Sequence, residues 1–301
     1  MTLPLVIVNP ASAGGTTKDV WPQIASDLRT YFGSYQTAFT SRSGEASSLA
    51  SSAARKGVKL IIACGGDGTV SEVANGILES GKDAELGILP SGTGGDFRRT
   101  LEIPSNTREA ANVLRTGRTR RIDVGRVSFF DESGNEVTRF FLGVASCGMS
   151  TKVIERVKNN GASFAASLIK TALGSTATRL VVQVDDSRER TLSVANLCIA
   201  NARYFGGGMK IAPGAKLTDG QFDVVNVGDL GALKTVVSAP RVYFGSHLSM
   251  SEVSHTLARK VVVRPANRDE SVSLEVDGEL PGKLPATFQI IPAALRVRSN
   301  A

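Results

Sequence analysis

The chain opens on LVIV (5–8), four apolar residues in a row, and the run stops at Asn9-Pro10-Ala11-Ser12-Ala13-Gly14-Gly15. A short apolar run bounded by turn residues predicts a strand covered on both faces. Residues 19–32 (DVWPQIASDLRTYF) follow with a helical pattern. The alternation then repeats. YQTAFT ends at Thr40 and leads to helix-like 44–57, with Gly57 just past its end; VKLIIA (58–63) leads through glycines to helix-like 70–80; ELGILP (85–90) leads to 91-SGTGGDFRRTL-101. A glycine after the last periodic residue is a helix stop. Strands alternating with helices predict βαβ units and a parallel sheet, whose ligands bind beyond the carboxyl ends of the strands. All four strand ends (9–15, 40–44, 65–69 and 91–95) carry small or hydroxyl residues. This pattern predicts one ligand-binding edge.

Near residue 122 the rhythm changes. Strand-like runs with period-2 alternation dominate at 123–130, 138–146, 179–186, 191–202, 221–228, 260–266, 271–278, 286–292 and 294–299. Two helical candidates, 150–161 and 232–245, interrupt them. The prediction is an α/β domain with a parallel sheet over 1–122, then a mainly antiparallel β-sandwich domain over 123–301.

At 301 residues, 42% hydrophobic and 21% charged, the composition is that of a globular chain long enough for two domains. No apolar run approaches the ~18 residues that span a bilayer. The start, MTLPLVIVNP, has no positively charged n-region, so the expected address is cytoplasmic. Cys64, Cys147 and Cys198 lie in or beside apolar runs without a C-x-x-C pair; buried thiols are expected rather than disulfides. With His247 and His255 as the only histidines, a His-based metal site is not expected, whereas an oxygen-ligated Mg²⁺ stays open. The net charge is +7, densest at 115-RTGRTRRIDVGR-126. That segment reads as a solvated connector or as an attachment to acidic lipid headgroups, worth about 1 kcal/mol per Arg. Aromatics are 6% of residues and do not interleave with the basic ones, so nucleic acid is not an expected partner.

The stretch with most chemistry is 60-LIIACGGDGTVSEVANGI-77. Glycines between a strand and a helix let the backbone approach a ligand, and successive N–H groups form an anion nest at a helix N-terminus. An acid in a phosphate cradle repels the phosphate unless a cation lies between, so Asp67 reads as a ligand, direct or through water, of a phosphate-bound Mg²⁺. Its plainer reading is a helix-capping acid, and Asp96 reads as a cap for a helix starting at Phe97. The chain has no G-x-x-x-x-G-K-[ST], no G-x-G-x-x-G opening a helix and no G-x-S-x-G, so P-loop, ordinary Rossmann and α/β-hydrolase readings lack support.

Gly65-Gly66-Asp67-Gly68-Thr69 resembles the GGDGT signature of the diacylglycerol kinase catalytic-domain family, which includes soluble bacterial lipid kinases and is related to sphingosine and ceramide kinases. Asn9-Pro10 with Gly14-Gly15 is similar to its N-P-x-x-G loop, Thr40 with Gly44-Glu45-Ala46 to its T…G-x-A segment, and 90-PSGTGGDF-97 to its P-x-G-T-x-N-D-F motif. In the second half, 213-PGAKLTDGQFDVV-225 and 277-DGE-279 resemble its two acidic motifs. The match runs end to end, in order.

The resemblance implies a fold like that of NAD kinase and diacylglycerol kinase, and ATP bound at a cleft between the domains. The phosphates would lie against Gly65, Gly66, Gly68 and Thr69 and against Gly92 and Thr93. Asn9, Thr40 and Glu72 would complete the nucleotide-binding set, and Asp67 would join the Mg²⁺ network. A second Mg²⁺ would take the Asp219 carboxylate and the backbone carbonyls of Lys216 and Gln221. Asp277 and Glu279 would approach the γ-phosphate, with Glu279 as the base. The reaction implied is ATP-dependent phosphorylation of a lipid hydroxyl, on diacylglycerol or a related alcohol. Two other readings are a soluble-substrate kinase of the NAD-kinase type and a nucleotide- or lipid-binding protein without turnover. Peripheral, transient membrane contact is implied, through 115–126 and apolar residues near an acceptor groove. The stretch 203-RYFGGGMKIAP-213 reads as that groove or its lid, or as a plain loop. Oligomeric state is open, a homodimer included. One departure stands out: Gly95 replaces the family's usual Asn.

Overall fold

The computed structural model describes residues 2–92, 94–160, 167, 171 and 177–300. Chain contacts divide it into Met1–Val124 with Pro292–Ala301, and Gly125–Ile291.

In the first unit, β1 (Leu5–Val8), β3 (Leu60–Gly65) and β4 (Glu85–Pro90) are almost wholly buried, as strands covered on both faces must be. With β2 (Gln36–Phe39) they pair in parallel, in the order β2–β1–β3–β4. Helices α1 (Thr16–Tyr31), α2 (Glu45–Arg55) and α3 (Asp67–Glu79) connect them; α4 (Asp96–Thr100) and α5 (Thr107–Thr116) follow. Two boundaries differ from expectation. Helix α3 begins at Asp67 rather than near 70, because Asp67, Gly68 and Thr69 form its first turn. The basic segment expected as a connector is instead the start of a strand, β5 (Arg118–Phe130).

The last ten residues return to the first unit. The end of strand β15 (Glu279–Ser299) runs parallel to β4, with Arg296 opposite Glu85 and Val297 opposite Leu86. The sequence rhythm placed these residues with the second domain, since an alternating strand does not advertise its partner. A partly buried ion pair fastens them: Arg298 Nε and Nη2 donate to the two oxygens of the buried Glu85 carboxylate, each at 2.8 Å.

The second unit is antiparallel throughout its described pairs. One layer runs β12 (Val253–Ala258), β11 (Phe222–Val227), β10 (Asn196–Ala200), β7 (Val144–Gly148), β14 (Ser273–Val276), β15. On β15 also pair β13 (Lys260–Pro265), then β8 (Thr178–Val184) and β9 (Arg190–Val194), while β5 pairs with β6 (Glu136–Phe141). Their core centres on Phe141, which stacks on Phe222 at 5.5 Å and meets Phe288 edge-on at 6.3 Å. The two expected helices are present as α6 (Met149–Asn160) and α7 (Gly231–Phe244); Gly161, expected to end the first, lies outside the described residues. The run 138–146 is two strands, because the Leu142 and Gly143 amides turn aside to a carboxylate. The run 191–202 breaks likewise at Ala195, whereas 286–292 and 294–299 fuse into β15. Strand β12 was not expected: its residues are mostly exposed and mixed in polarity.

No helix among the described residues is long and apolar enough to cross a membrane. All three cysteines are buried and free. Burial pushes the Cys64 and Cys147 thiols up to about 12 and Cys198 well above its ordinary value. Thiolate is the reactive form, so the native protein should not react with dithiobis(nitrobenzoate) at about pH 8, whereas all three thiols react in guanidinium. Absorbance of the released thiolate reads the outcome; one equivalent released from native protein would show an accessible thiol.

Candidate functional site

The carboxyl ends of β1, β3 and β4 are knitted into one edge. Asn9, just past β1, donates from Nδ2 to Thr69 Oγ1 at 3.0 Å and accepts the Ala11 N–H at 3.0 Å. Thr17 Oγ1 lies 2.7 Å from Ser91 Oγ. Thr40, at the end of β2, is buried and donates its N–H to Val8 O at 2.9 Å. Thr93 lies outside the described residues.

The glycines at this edge are demanded by close packing. A Cβ on Gly65 would fall 2.4 Å from Thr69 Oγ1, and one on Gly92 would fall 2.6 Å from Gly66 Cα. The 65–66 and 92 backbones therefore touch without side chains between them. On Gly66 a Cβ would meet only Gly92 Cα, at 3.9 Å. Bare backbone before the N-terminus of a 13-residue helix fits phosphate groups. Gly92→Ala cannot be relieved by a side-chain movement, because its obstacle is backbone. The two backbones must then part, at the roughly 1–3 kcal/mol that overpacking costs, so its thermal midpoint should fall; an unchanged midpoint would show that this contact is not tight.

The acids in this edge act first on backbone. Asp67 Oδ2 accepts the N–H groups of Gly95 (2.7 Å) and Asp96 (3.0 Å), and Oδ1 accepts that of Phe97 (3.1 Å). The carboxylate thus caps α4 and ties the 91–95 loop to the glycine turn. Asp96, expected as the cap, instead pairs with Arg99 at 2.8 Å. The repulsion that pointed to a cation at Asp67 is met here by three N–H donors. With most of its lone pairs committed, Asp67 fits an indirect place in a metal network better than direct ligation. Glu72 behaves similarly, accepting the N–H groups of Gly44 (3.0 Å) and Ala46 (3.1 Å) at the start of α2.

Gly95 sits at φ 71°, ψ 38°, the left-handed region that glycine and asparagine both tolerate. The exchange for Asn therefore preserves the backbone and removes an amide. Arg98 occupies the vacated side: a Cβ on Gly95 would lie 2.6 Å from Arg98 Nε.

In the second unit, Asp277 (φ 49°) and Gly278 (φ 83°) form the tight turn between β14 and β15, a type I′ geometry. Asp277 accepts the N–H groups of Leu142 (3.0 Å) and Gly143 (2.8 Å), which is what divides β6 from β7. Glu279 Oε2 is held by Arg139 Nη1 at 2.7 Å, with about a third of the Glu279 side chain exposed. Asp219 is exposed; its Oδ1 accepts the Gln221 N–H at 3.1 Å. Lys216 is exposed beside it. The Asp219 carboxylate is an oxygen donor of the kind Mg²⁺ takes. Among the described residues there is no cluster of three or more His, Cys, Asp or Glu side chains, so protein carbonyls, phosphate or water would complete such a site.

The sequence reading missed Asp223 and His255, whose carboxylate and Nε2 lie 2.7 Å apart. Burial raises the Asp223 pKa, with His255 and Lys216 opposing and Asp219 reinforcing. The period-2 pattern of 221–225 could have flagged Asp223 as an acid at an inward position. Arg139 was also missed, since no local signal links it to Glu279.

A further feature of this unit is an apolar cavity of about 80 Å³, walled by Met149, Val153, Phe205, Met209, Ile211 and Val242. Three of these lie in 203–213, the expected groove.

Residues 4–127 match the model of the Diacylglycerol kinase catalytic domain, and residues 143–299 match that of the YegS C-terminal NAD kinase beta sandwich-like domain. A diacylglycerol kinase of Staphylococcus haemolyticus (strain JCSC1435) is 31% identical over 295 residues, covering 94% of this chain and 84% of the relative. One from Mycobacterium tuberculosis (strain ATCC 25618 / H37Rv) is 29% identical over 259 residues, covering 84% and 81%. A crystal structure titled as a diacylglycerol kinase from Bacillus anthracis str. Sterne superposes with a TM-score of 0.73 at 23% identity, covering 99% of this chain and 97% of that one; at that identity it speaks for the fold. Both halves of the chain, its motifs in order and its relatives point the same way, and the chain belongs to the diacylglycerol kinase family.

Proposed function

We propose that this protein transfers the γ-phosphate of ATP to the hydroxyl of a lipid alcohol, diacylglycerol or a close relative. The observation that carries the lipid assignment is the apolar cavity of the second unit, which suits an acyl tail and has no use for NAD or a sugar phosphate. In this reading Gly65, Gly66, Gly68, Thr69, Gly92 and Thr93 receive the nucleotide phosphates, with Asn9, Thr40 and Glu72 ordering their surroundings. Asp67 keeps the two loops together. Asp219, with the carbonyls of Lys216 and Gln221, would hold Mg²⁺, whose charge neutralises the phosphates. The acceptor oxygen attacks phosphorus, the bond from phosphorus to the ADP oxygen breaks, and the hydroxyl proton passes to Glu279. Asp277 fixes the turn that presents Glu279.

Membrane contact is better supported at α7 than at 115–126. Arg121 pairs with Asp83 at 2.8 Å and Arg126 with Gln289 at 2.6 Å, so part of that cluster is already engaged. Helix α7 carries Arg241 and Lys234, the latter paired with Glu252, has no acid of its own, and exposes Val237 (70%) and Phe244 (82%). Apolar and basic residues together suit an interfacial helix. Replacing Val237 and Phe244 by Ser should weaken sedimentation with anionic vesicles at least about fivefold; unchanged binding would move the contact elsewhere.

The test of function is γ-phosphate transfer from labelled ATP with Mg²⁺. Acceptors are diacylglycerol, a sphingoid base, ceramide, a polyprenol and a glycerophospholipid in mixed micelles, with NAD and a sugar phosphate as soluble controls. Label on a lipid supports the proposal and names the acceptor. Label on NAD overturns it for the NAD-kinase type, and ATP binding with transfer to no acceptor overturns it for a binding protein.

A further inference from the structure

We propose that Arg98 is a further nucleotide-binding residue of this chain: its arm fills the space that an asparagine side chain at position 95 would take, and its guanidinium puts a fixed positive charge beside the phosphate cradle. The proposal rests on the reading that the glycine turn receives nucleotide phosphates, and it adds to that site a side chain with no role so far.

Helix geometry sets the placement. Arg98 follows Gly95 by three positions, so across the first turn of α4 the two lie on one side. Phe97 and Thr100 turn inward and are buried, whereas Arg98 is half-buried. A Cβ on Gly95 would fall 2.6 Å from Arg98 Nε and 3.2 Å from its Cγ and Cδ. The arm therefore lies flat on the bare Gly95 backbone. An asparagine at 95 and this posture of Arg98 exclude each other, so the two positions act as one unit. The cleft that Arg98 borders is also lined by Gly65, Gly66, Asp67, Gly92 and Gly95, the backbone that fits phosphate.

Arg98 has donors to give. A guanidinium carries five N–H groups, and Nη1 of Arg98 donates to Ile103 O at 3.1 Å. Among the described residues Arg98 makes no other hydrogen bond and no ion pair. Arg99 is differently placed: its Nη1 reaches Gly94 O and Asp96 Oδ1, both at 2.8 Å.

The local charges favour an anion. Burial lowers the Arg98 pKa, Arg99 adds to the effect, and Asp67 and Asp96 oppose it. Both acids already serve other groups: Asp67 accepts three backbone N–H groups, and Asp96 holds Arg99. A half-buried guanidinium without a bonded counter-charge gains from an anion entering its cleft. The gain is mutual, because the Asp67 carboxylate repels a phosphate and Arg98 is a cation near enough to oppose that repulsion. An asparagine would offer a neutral amide, whereas arginine offers a charged fork that matches phosphate oxygens. The exchange turns a neutral donor into a charged one, and attraction by charge weakens with salt.

The experiment measures calorimetric binding of ATP with Mg²⁺ to wild type, Arg98→Gln and the double variant Gly95→Asn, Arg98→Ala, in about 0.05 M and about 0.5 M salt. In dilute salt Arg98→Gln should bind ATP about tenfold or more weakly, the size of a lost charge-assisted hydrogen bond. In concentrated salt the gap should narrow to about threefold or less. That narrowing separates a charge at the phosphates from a role in holding α4, which salt would not screen in this way. The double variant refills the space over position 95 with an amide, so packing is kept while the charge is gone. Its salt dependence should fall as that of Arg98→Gln does, which decides the matter should Arg98→Gln not fold. ATP binding unchanged in Arg98→Gln, a gap equal at both salt concentrations, or a double variant as salt-sensitive as wild type overturns the proposal while the nucleotide reading stands. No binding of ATP by wild type overturns the nucleotide reading and the proposal with it.

Discussion

Glu279→Gln is expected to lower kcat about 10²–10⁴-fold while leaving the thermal midpoint and the KM for ATP nearly unchanged. Glutamine is isosteric and can still meet Arg139, which holds Glu279 Oε2 at 2.7 Å, yet it cannot take up the acceptor proton at neutral pH. Glutamine keeps a hydrogen bond to Arg139, and a partly exposed ion pair contributes only about 0–1 kcal/mol to stability, so the fold should hardly register the change. Asp277→Asn makes the contrast. Its carboxylate accepts two backbone N–H groups, from Leu142 and Gly143, and an amide there brings donors against donors. That variant should lose stability and activity together. Steady-state kinetics beside thermal unfolding separates the two roles. More than about a tenth of wild-type kcat in Glu279→Gln would place the proton elsewhere.

Arg298→Leu should cost about 3–5 kcal/mol, the usual penalty for removing one partner of a buried ion pair. Glu85 is 3% exposed and lies 213 positions from Arg298. Thr119 adds a hydrogen bond to Glu85 at 2.6 Å, and Arg298 Nη1 also donates to Leu114 O at 2.8 Å. Cutting the arginine leaves a buried carboxylate with one hydroxyl for company. A fall in unfolding midpoint of roughly 6–20 °C follows from the usual scaling. The double variant Glu85→Leu, Arg298→Leu should recover much of the loss, because it removes the stranded charge as well. If the double variant is as unstable as the single one, packing rather than charge holds this strand.

Much of the first unit was legible because its signals are local. LVIV and ELGILP are buried on both faces and bounded by turn residues, and structure and pattern agree on both to the residue. The glycine motif was legible as a site but not as a shape: glycines read as loop, although Asp67, Gly68 and Thr69 already turn as helix. Asp67 and Asp277 were visible as acids in glycine turns, but their partners are amide groups, which every residue except proline carries and no sequence distinguishes. The break after Phe141 depends on a carboxylate 134 positions away from Gly143. Strand β12 escaped because VSHTLA is mixed in polarity and mostly exposed, so no buried run announces it.

The return of β15 to the first sheet has a consequence for synthesis. A chain leaving the ribosome can lay down β1 to β4 early, but Arg298, on the strand that pairs with β4, is made 213 residues after Glu85. Until then the edge of β4 is unpaired, with the Glu85 carboxylate awaiting its arginine, and open strand edges invite foreign pairing. The order of translation thus leaves the first unit unfinished until the second has been made, and a fragment cut at Val124 would inherit that unfinished edge permanently.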